Sequence, residues 1–199
     1  MIPESKQIEQ QNEIDLLERL RRGEQKAFAQ LVTAYEKSIY RVCWRFFMNE
    51  EDSLDAVQEV FLKVYRAVDR FEGRASLKTW IYRIATNTCI SIAEKKKREK
   101  EGLLHTFMSW WAERSQESPE EEILDREVRI LNQKRVAEKV AALPEAYRMP
   151  VILKDMEGLS LEKISEILEI PLGTVKSRIN RGRRILQESL QAYVQGRLE

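Results

Sequence analysis

Residues 160–186 read SLEKISEILEIPLGTVKSRINRGRRIL, and this stretch decides the fold of the C-terminal part of the chain. Ser160 is a residue type that caps helices, and the helix predicted after it places four apolar side chains on one face: Leu161, Ile164, Ile167 and Leu168. Pro171 and Gly173 interrupt this pattern, and a second helix is predicted to begin near Thr174. Two helices joined by a tight turn containing glycine are typical of a helix-turn-helix, whose second helix enters the DNA major groove.

The second helix of this motif has one apolar face and one basic face. At about 100° per residue, Val175, Ile179, Gly182 and Leu186 share one side, and hydroxyl, amide and guanidinium groups gather on the other. Such groups hydrogen-bond base edges and phosphates. A solvated amphipathic helix is the alternative, but the coincidence of the motif with the basic face favours DNA binding. The predicted contact residues are Thr174, Lys176, Ser177, Asn180, Arg181, Arg183 and Arg184.

The rest of the chain also follows helical periodicity, and no stretch alternates as a strand would. A helix is predicted over 13–22, ended by Gly23 in the left-handed conformation, and three longer helices follow. Their predicted inward residues are Phe28, Leu31, Tyr35, Ile39, Val42 and Phe46 in the second helix; Leu54, Val57, Phe61, Val64 and Val68 in the third, capped by Asp52 or Ser53; and Leu77, Ile81, Ile84, Thr88 and Ile92 in the fourth. The sequence therefore predicts an all-α protein.

Breaks in the periodicity predict two small helical domains joined by a linker. Residues 1–12 form an N-terminal extension, 13–100 the first domain, 101–118 an acidic and aromatic linker, and 119–199 the domain with the helix-turn-helix. The linker carries Trp110 and Trp111, which are too apolar for a solvated tether and predict packing on a domain or on a partner. A capping box over residues 118–121 opens the second domain.

Composition excludes several classes of protein. No apolar run approaches the roughly 20 residues that span a bilayer, and no secretory signal is recognisable. Cys43 and Cys89 are the only cysteines and His105 is the only histidine, so neither a disulfide scaffold nor a metal site is predicted. The interpretation is a cytoplasmic protein with no cofactor that catalyses no reaction.

The net charge of +1 conceals an uneven distribution. Residues 94–100 hold five basic and two acidic residues, a net charge of +3, and residues 172–199 hold six and two, a net charge of +4. Between them, residues 101–129 hold three basic and eight acidic residues, a net charge of −5. Two basic patches separated by an acidic segment indicate two contact surfaces on a modular protein, although charge blocks also arise on ordinary solvated helices.

Five motifs, in order along the chain, resemble the bacterial extracytoplasmic-function (ECF) sigma factors, the two-domain branch of the primary sigma factor family. These motifs are GEQKAF at 23–28, DAVQEVF at 55–61, the stretch 71–87 that includes WIYRIATN, residues 143–148 beginning Leu-Pro, and IPLGTVKSR at 170–178. Together they cover nearly everything from Glu13 to about Leu190. The linker tryptophans and the acidic, Gln-rich N-terminus depart from this pattern.

The resemblance implies that the first domain binds core RNA polymerase and captures the minus-ten promoter element, while the second reads the minus-thirty-five element as duplex. The residues implied to bind core polymerase are Asp55, Gln58, Glu59 and Leu62 on the third helix. An exposed leucine among carboxylates suits a basic helical partner, although an ordinary solvated face has the same composition.

Melting requires a pocket for an unstacked base, with aromatic and polar groups. The implied minus-ten residues are Phe71, Arg74, Ser76, Lys78, Trp80, Arg83 and Asn87, of which Trp80 and Asn87 also fit structural roles.

The resemblance also implies an anti-sigma factor as a partner, one that is often membrane-anchored, and a chain that is monomeric when free. An autonomous helix-turn-helix transcription regulator with a helical sensor or dimerisation domain is the rival interpretation. An enzyme is a weaker rival, because His105 stands alone and the cysteines lack the spacing of a metal site. The inducing signal, the regulon and the promoter sequence cannot be predicted from these residues.

Overall fold

The structure is a computed structural model that describes residues 4–107 and 135–195, with side chains described for 13–99 and 135–191. Every regular element in these ranges is helical, in two regions on either side of residues 108–134, which confirms the predicted all-α class. Within the same ranges, no helix is long and apolar enough to cross a membrane.

The first region contains α1 (Glu4–Arg21), α2 (Gln25–Phe47), α3 (Glu50–Ala67), a 3-10 turn (Val68–Arg70) and α4 (Leu77–Phe107). Gly23 separates α1 from α2 at a φ of +73°, as predicted. The N-cap of α3 is Asn49, whose side chain accepts a hydrogen bond from the Asp52 amide at 2.9 Å, rather than Asp52 or Ser53 as predicted. Three acidic residues in the first turn of α3 favour this helix start through the helix dipole.

The core of the first region joins α2, α3 and α4. Buried residues follow the predicted faces of α2 and α4, and the hydrophobic residues Ala27, Cys43, Tyr82, Ala85 and Cys89 are buried as well. On α3 the prediction for Leu54 is wrong, because 52% of this residue is exposed. The small residues Ser53 and Ala56 are buried instead, since they let α3 approach its neighbours closely.

The second region contains α5, described over residues 135–141, then α6 (Glu145–Val151), α7 (Leu161–Leu168) and α8 (Leu172–Gln195). Pro144 stands at the N-cap of α6, and Pro150 lies inside it. Because proline lacks an amide hydrogen, the regular ladder cannot continue through Pro150, and a π-helical turn (Ile152–Met156) follows.

Two predicted boundaries differ from the helices observed. α1 already begins at Glu4, inside the predicted extension, because Glu, Lys and Gln favour helix even without an apolar stripe. α4 continues to Phe107, beyond the predicted end of the first domain at Lys100. Trp110, Trp111 and the capping box at 118–121 lie outside the described residues.

The two regions are in contact. α4 packs against α7, and α2 packs against the π-helical turn. Buried residues from both regions, such as Ile81 and Ile164, belong to one continuous apolar cluster. This packing places the helix-turn-helix beside the 71–76 loop and α4, to which the family resemblance implies binding of the minus-ten element.

Candidate nucleic-acid interface and partner groove

The helix-turn-helix is built as predicted, with a slightly earlier start of its second helix. Ser160 caps α7 and accepts a hydrogen bond from the Lys163 amide at 3.1 Å. Glu169 ends α7 in the left-handed conformation at a φ of +53°, and α8 begins at Leu172 rather than near Thr174. Gly173 is therefore the second residue of α8 and not part of the turn.

The apolar side of α8 packs closely against α6. Val175 and Ile179 are buried, and Gly182 has no room for a side chain. A Cβ atom at Gly182 would lie 2.7 Å from Cγ2 of Val151 and 3.3 Å from Cβ of Tyr147. This contact sets the rotation of α8, so the opposite face points to solvent.

The outer face of α8 brings the predicted duplex contacts together. Thr174 is half-buried, and its carbonyl accepts a hydrogen bond from the Ser177 hydroxyl at 3.0 Å. Arg183 forms a two-point ion pair with Asp155, which raises the pKa of the guanidinium, and its Nε lies 3.0 Å from the carboxylate. Arg184 has a looser contact with Glu188 at 3.7 Å. The exposed members of this face are Lys176, Ser177, Asn180, Arg181, Arg183 and Arg184.

The loop of residues 71–76 lies at the mouth of a cavity of about 630 Å³. Phe71 is buried and its ring lies 5.1 Å from that of Trp80, which is half-buried and lines the cavity. Arg74 is exposed at the loop apex beside Glu72. Ser76 accepts a hydrogen bond from the Thr79 amide at 3.3 Å and so caps the first turn of α4. In this arrangement Trp80, and not Phe71, offers an accessible aromatic edge.

The remaining predicted minus-ten residues lie along α4, and two of them, Arg83 and Asn87, lie near the second region. Lys78 is exposed, with its Nζ 5.8 Å from the centre of the Tyr82 ring. Asn87 is exposed at the edge of a second cavity, of about 280 Å³, that is also lined by Met149 and Arg178. Arg83 reaches across to the helix-turn-helix, and Lys163 and Glu166 of α7 complete the wall of the first cavity.

Helix α1 holds both ends of the 71–76 loop, a role that the sequence did not predict. Nη2 of Arg21 donates to the Phe71 carbonyl at 2.7 Å. The amide of Leu77 donates to Oε1 of Glu13 at 2.6 Å. These contacts link residues 50 and 64 positions apart, so no local pattern could have indicated them.

The four residues predicted to bind core polymerase line one groove between α3 and α4, of about 580 Å³. These residues are Asp55, Gln58, Glu59 and Leu62. Leu62 is 41% exposed, and Glu59 pairs with Lys63 at 3.4 Å. The opposite wall belongs to α4 and carries Lys95 and Ile92. The groove therefore combines apolar side chains with charges of both signs.

The contact between the two regions also includes ionic groups around one nearly buried carboxylate. The Glu157 side chain, only 6% exposed, pairs with Arg41 at 3.4 Å and more closely with Arg45. Arg45 also donates to the Met156 carbonyl at 2.9 Å. Arg148 lies over the Phe46 ring at 4.7 Å, and burial lowers the pKa of its guanidinium.

In the part of the chain that the structure describes, no group of three or more His, Cys, Asp or Glu residues that could hold a metal ion occurs. Cys43 and Cys89 are both buried, with their sulfur atoms 3.7 Å apart. The hydrogen bond between them and their burial raise the pKa of Cys89 well above its ordinary value. Both thiols belong to the packed core, where burial keeps them from solvent.

A helix-turn-helix with a basic outer face, carried beside a second helical region with an aromatic and basic loop, defines a DNA-binding transcription protein. Two family models assign the class more closely. Sigma-70 region 2 matches residues 31–99, and Sigma-70 region 4 matches residues 133–186.

Full-length relatives agree with this class. The chain is 35% identical to the ECF RNA polymerase sigma factor SigW of Bacillus subtilis over 181 residues, covering 88% of this chain and 95% of SigW. It is also 35% identical to the ECF RNA polymerase sigma-E factor of Escherichia coli over 185 residues, covering 90% and 94%. The chain belongs to the ECF RNA polymerase sigma factors, as its motifs predicted.

Two solved structures share the fold. Sigma factor RpoE of Bartonella quintana, solved with the anti-sigma factor NepR, has a TM-score of 0.62 at 25% identity, covering 83% of this chain and 98% of that one. CnrH, solved with the cytosolic domain of CnrY, has a TM-score of 0.64 at 24% identity, covering 90% and 97%.

Proposed function

We propose that the chain directs core RNA polymerase to specific promoters and assists their melting, without catalysing a reaction or holding a cofactor. One observation carries this proposal: a groove between α3 and α4, lined by the residues predicted to bind core polymerase, and a basic outer face on α8 occur on the same chain. An autonomous regulator needs the recognition face but has no use for the groove.

The α8 face is proposed to read the minus-thirty-five element as duplex. Ser177, Asn180 and Arg181 are exposed near the first half of α8, where a recognition helix reaches base edges. Arg183 and Arg184 lie further along, and guanidinium groups there suit phosphates. Asp155 already engages Nε and Nη2 of Arg183, so Arg183 offers a phosphate only its remaining N–H groups.

The groove between α3 and α4 is proposed as the docking site for core polymerase. Leu62 offers apolar contact area, and Asp55 and Glu59 supply carboxylates for a basic helix of the partner. Residues 13–100 and 119–199 are proposed as the two domains, each carrying one DNA-binding surface.

The loop of residues 71–76 and the start of α4 are proposed to capture the minus-ten strand. Trp80 is placed to stack on an unpaired base, and Arg74 and Lys78 are exposed for phosphates. Asn87 would read a base edge. Phe71 supports the site from the core by packing on Trp80, because its own ring is buried.

An anti-sigma factor is proposed as the regulator of the chain, and the solved complex of RpoE with NepR is the precedent within this fold. From the family we also propose that this chain is cytoplasmic, that its anti-sigma factor is membrane-anchored and that the free chain is a monomer.

In vitro transcription tests the proposal. Purified chain added to core polymerase should produce initiation at promoters that core polymerase alone ignores. In a salt titration, the free chain should bind promoter duplex weakly, with little preference over scrambled DNA, and core enzyme should make the binding tight and selective. Nanomolar, selective binding by the free chain, with no initiation, would favour the autonomous regulator.

A further inference from the structure

Cys43 and Cys89 form a pair of thiols that the proposed function leaves unused. Cys43 lies near the end of α2 and Cys89 in the first half of α4. Both residues are fully buried, and Sγ of Cys89 donates a hydrogen bond to Sγ of Cys43 at 3.7 Å. The chain has no further cysteine, so each thiol has the other as its sole possible partner within the chain.

The two sulfur atoms are close to the separation at which they can bond. A disulfide bond is about 2.05 Å long, so the two atoms need to approach each other by roughly 1.7 Å. Helices α2 and α4 pack directly against each other, and small rotations about the Cα–Cβ bonds of both cysteines can supply this movement. A bridge between the two helices is therefore compatible with the fold.

The segment between the two cysteines contains the residues proposed to contact core polymerase and the minus-ten element. Helix α3 with Asp55 and Leu62, the 71–76 loop and Asn87 on α4 all lie between positions 43 and 89. A bond between the cysteines would close this whole segment into one covalent loop. Such a loop stabilises a fold mainly because it restricts the unfolded chain.

We propose that Cys43 and Cys89 are a reversible oxidation site, at which hydrogen peroxide converts the two thiols into a disulfide that joins α2 to α4. One thiol sulfur takes an oxygen atom as the O–O bond of the peroxide breaks, which gives a sulfenic acid and one water molecule. The second sulfur displaces the hydroxyl group, which leaves as water with the proton of the second thiol. Two thiols and one hydrogen peroxide thus give one disulfide and two water molecules, and a dithiol reductant restores the thiols.

Burial makes the first of these steps slow and the second fast. Peroxide reaches the sulfur atoms only when the packing between α2 and α4 opens locally. The hydrogen bond between the thiols and their burial also raise the pKa of Cys89, which disfavours the reactive thiolate. Once one sulfur is oxidised, the other already lies beside it and needs no encounter through solvent. The sulfenic acid should therefore not accumulate in the unmodified chain.

Peptide mapping of the full chain after treatment with hydrogen peroxide tests the inference. Trypsin cleaves after Arg41, Arg45, Arg83 and Lys95, so the disulfide should link the peptides of residues 42–45 and 84–95. The linked pair should come from chains that remain monomeric on a non-reducing gel, and dithiothreitol should separate it. Dimedone, which traps sulfenic acids, should leave both cysteines of the unmodified chain largely unlabelled.

Cys43→Ala and Cys89→Ala are the matched variants, because each leaves one thiol without its partner. Both should lack the linked peptides, and the remaining cysteine should take up several-fold more dimedone than it does in the unmodified chain. Either variant suffices for this comparison if the other fails to fold. Equal dimedone labelling of the unmodified chain and the variant would contradict the fast second step.

The urea midpoint of the linked chain supplies an independent measure. It should exceed that of the same sample after dithiothreitol by about 1–2 M, since the bond restricts the unfolded chain between two distant positions. Peroxide-treated Cys43→Ala should show no such difference, and methionine oxidation contributes equally to both halves of each comparison. The inference is overturned if the folded chain stays unlinked while the single variants are labelled, if separate chains are linked instead, or if the linked chain has the lower midpoint. Initiation by the reduced chain with core polymerase judges the proposed function separately.

Discussion

Nη1 of Arg83 on α4 lies 2.9 Å from the carboxylate of Glu169, the residue that ends the first helix of the helix-turn-helix. One residue of the proposed minus-ten surface is thus held by the module proposed to read the minus-thirty-five element. Nε of Arg83 is buried without a hydrogen-bond acceptor in the described structure, so the side chain is not fully satisfied there.

The outer face of α8 predicts two different arginine phenotypes. In the holoenzyme, Arg181→Ala should weaken promoter binding by about 1–3 kcal/mol, because Arg181 is proposed to contact bases. It should also relax specificity at one or two base pairs. Arg184→Ala should weaken binding to all sequences alike, as expected for a phosphate contact. Binding to a panel of single-base promoter variants measures both; unchanged preference and affinity for Arg181→Ala would remove it from the site.

Asn87→Ala should separate promoter melting from polymerase binding. The variant should bind core enzyme normally but form fewer open complexes, since Asn87 is exposed and is proposed to read an unpaired base. A template already mismatched over the minus-ten region should restore part of the activity, because the cost of unpairing has been removed. Loss of helical circular dichroism in the variant would instead identify Asn87 as a structural residue.

Two glycines of α8 should respond in opposite ways to alanine. Gly182→Ala should destabilise the chain by about 1–3 kcal/mol, because its Cβ would meet Val151 and Tyr147 in a packed interface. Gly173→Ala has open space around it and an ordinary helical backbone, so it should be neutral or stabilise by up to about 1 kcal/mol. Urea unfolding midpoints of the two variants provide the comparison, and equal midpoints would contradict it.

The contacts of α1 with the 71–76 loop predict an effect on promoter opening. Glu13→Ala should cost about 0.5–2 kcal/mol of stability, as the loss of a helix cap does, and should speed hydrogen exchange at the Leu77 amide. Glu13→Gln retains an acceptor oxygen and should preserve most of the protection. If α1 positions the loop, Glu13→Ala and Arg21→Ala also reduce open-complex formation while Glu13→Gln does not; equal behaviour of all three would argue against it.

The buried thiols predict a loss of stability at alkaline pH. Because the pKa of Cys89 is raised in the folded chain, the unfolded thiol releases its proton first, near its ordinary pKa of about 8.5. The contribution to folding is fully present below that pH and declines as pH rises above it. The unfolding midpoint should decrease as the pH is raised from about 7.5 to about 9.5, a range that lies below the ordinary titration of the tyrosines. Cys89→Ala should reduce this pH dependence, and an unchanged dependence would assign it to other groups.

The sequence by itself determined the features that depend on local periodicity. The helix-turn-helix, its Ser160 cap and the exposed face of α8 followed from residue spacing, because a helix places every third or fourth residue on one side. The same spacing gave a wrong prediction for Leu54, because the apolar positions of α3 are compatible with two neighbouring faces of the helix. In the structure the small residues Ser53 and Ala56 face the core instead.

Only the tertiary structure decided which distant groups meet. Arg41 and Glu157 are 116 positions apart in the sequence. The residues around Arg41 in the sequence therefore do not indicate that the carboxylate of Glu157 lies beside it. Glu13 as a cap for α4 and Arg83 against the helix-turn-helix are contacts of the same kind. Charge pairing between remote segments depends on how whole helices pack, and that packing is set by the combined apolar faces rather than by any local stretch of sequence.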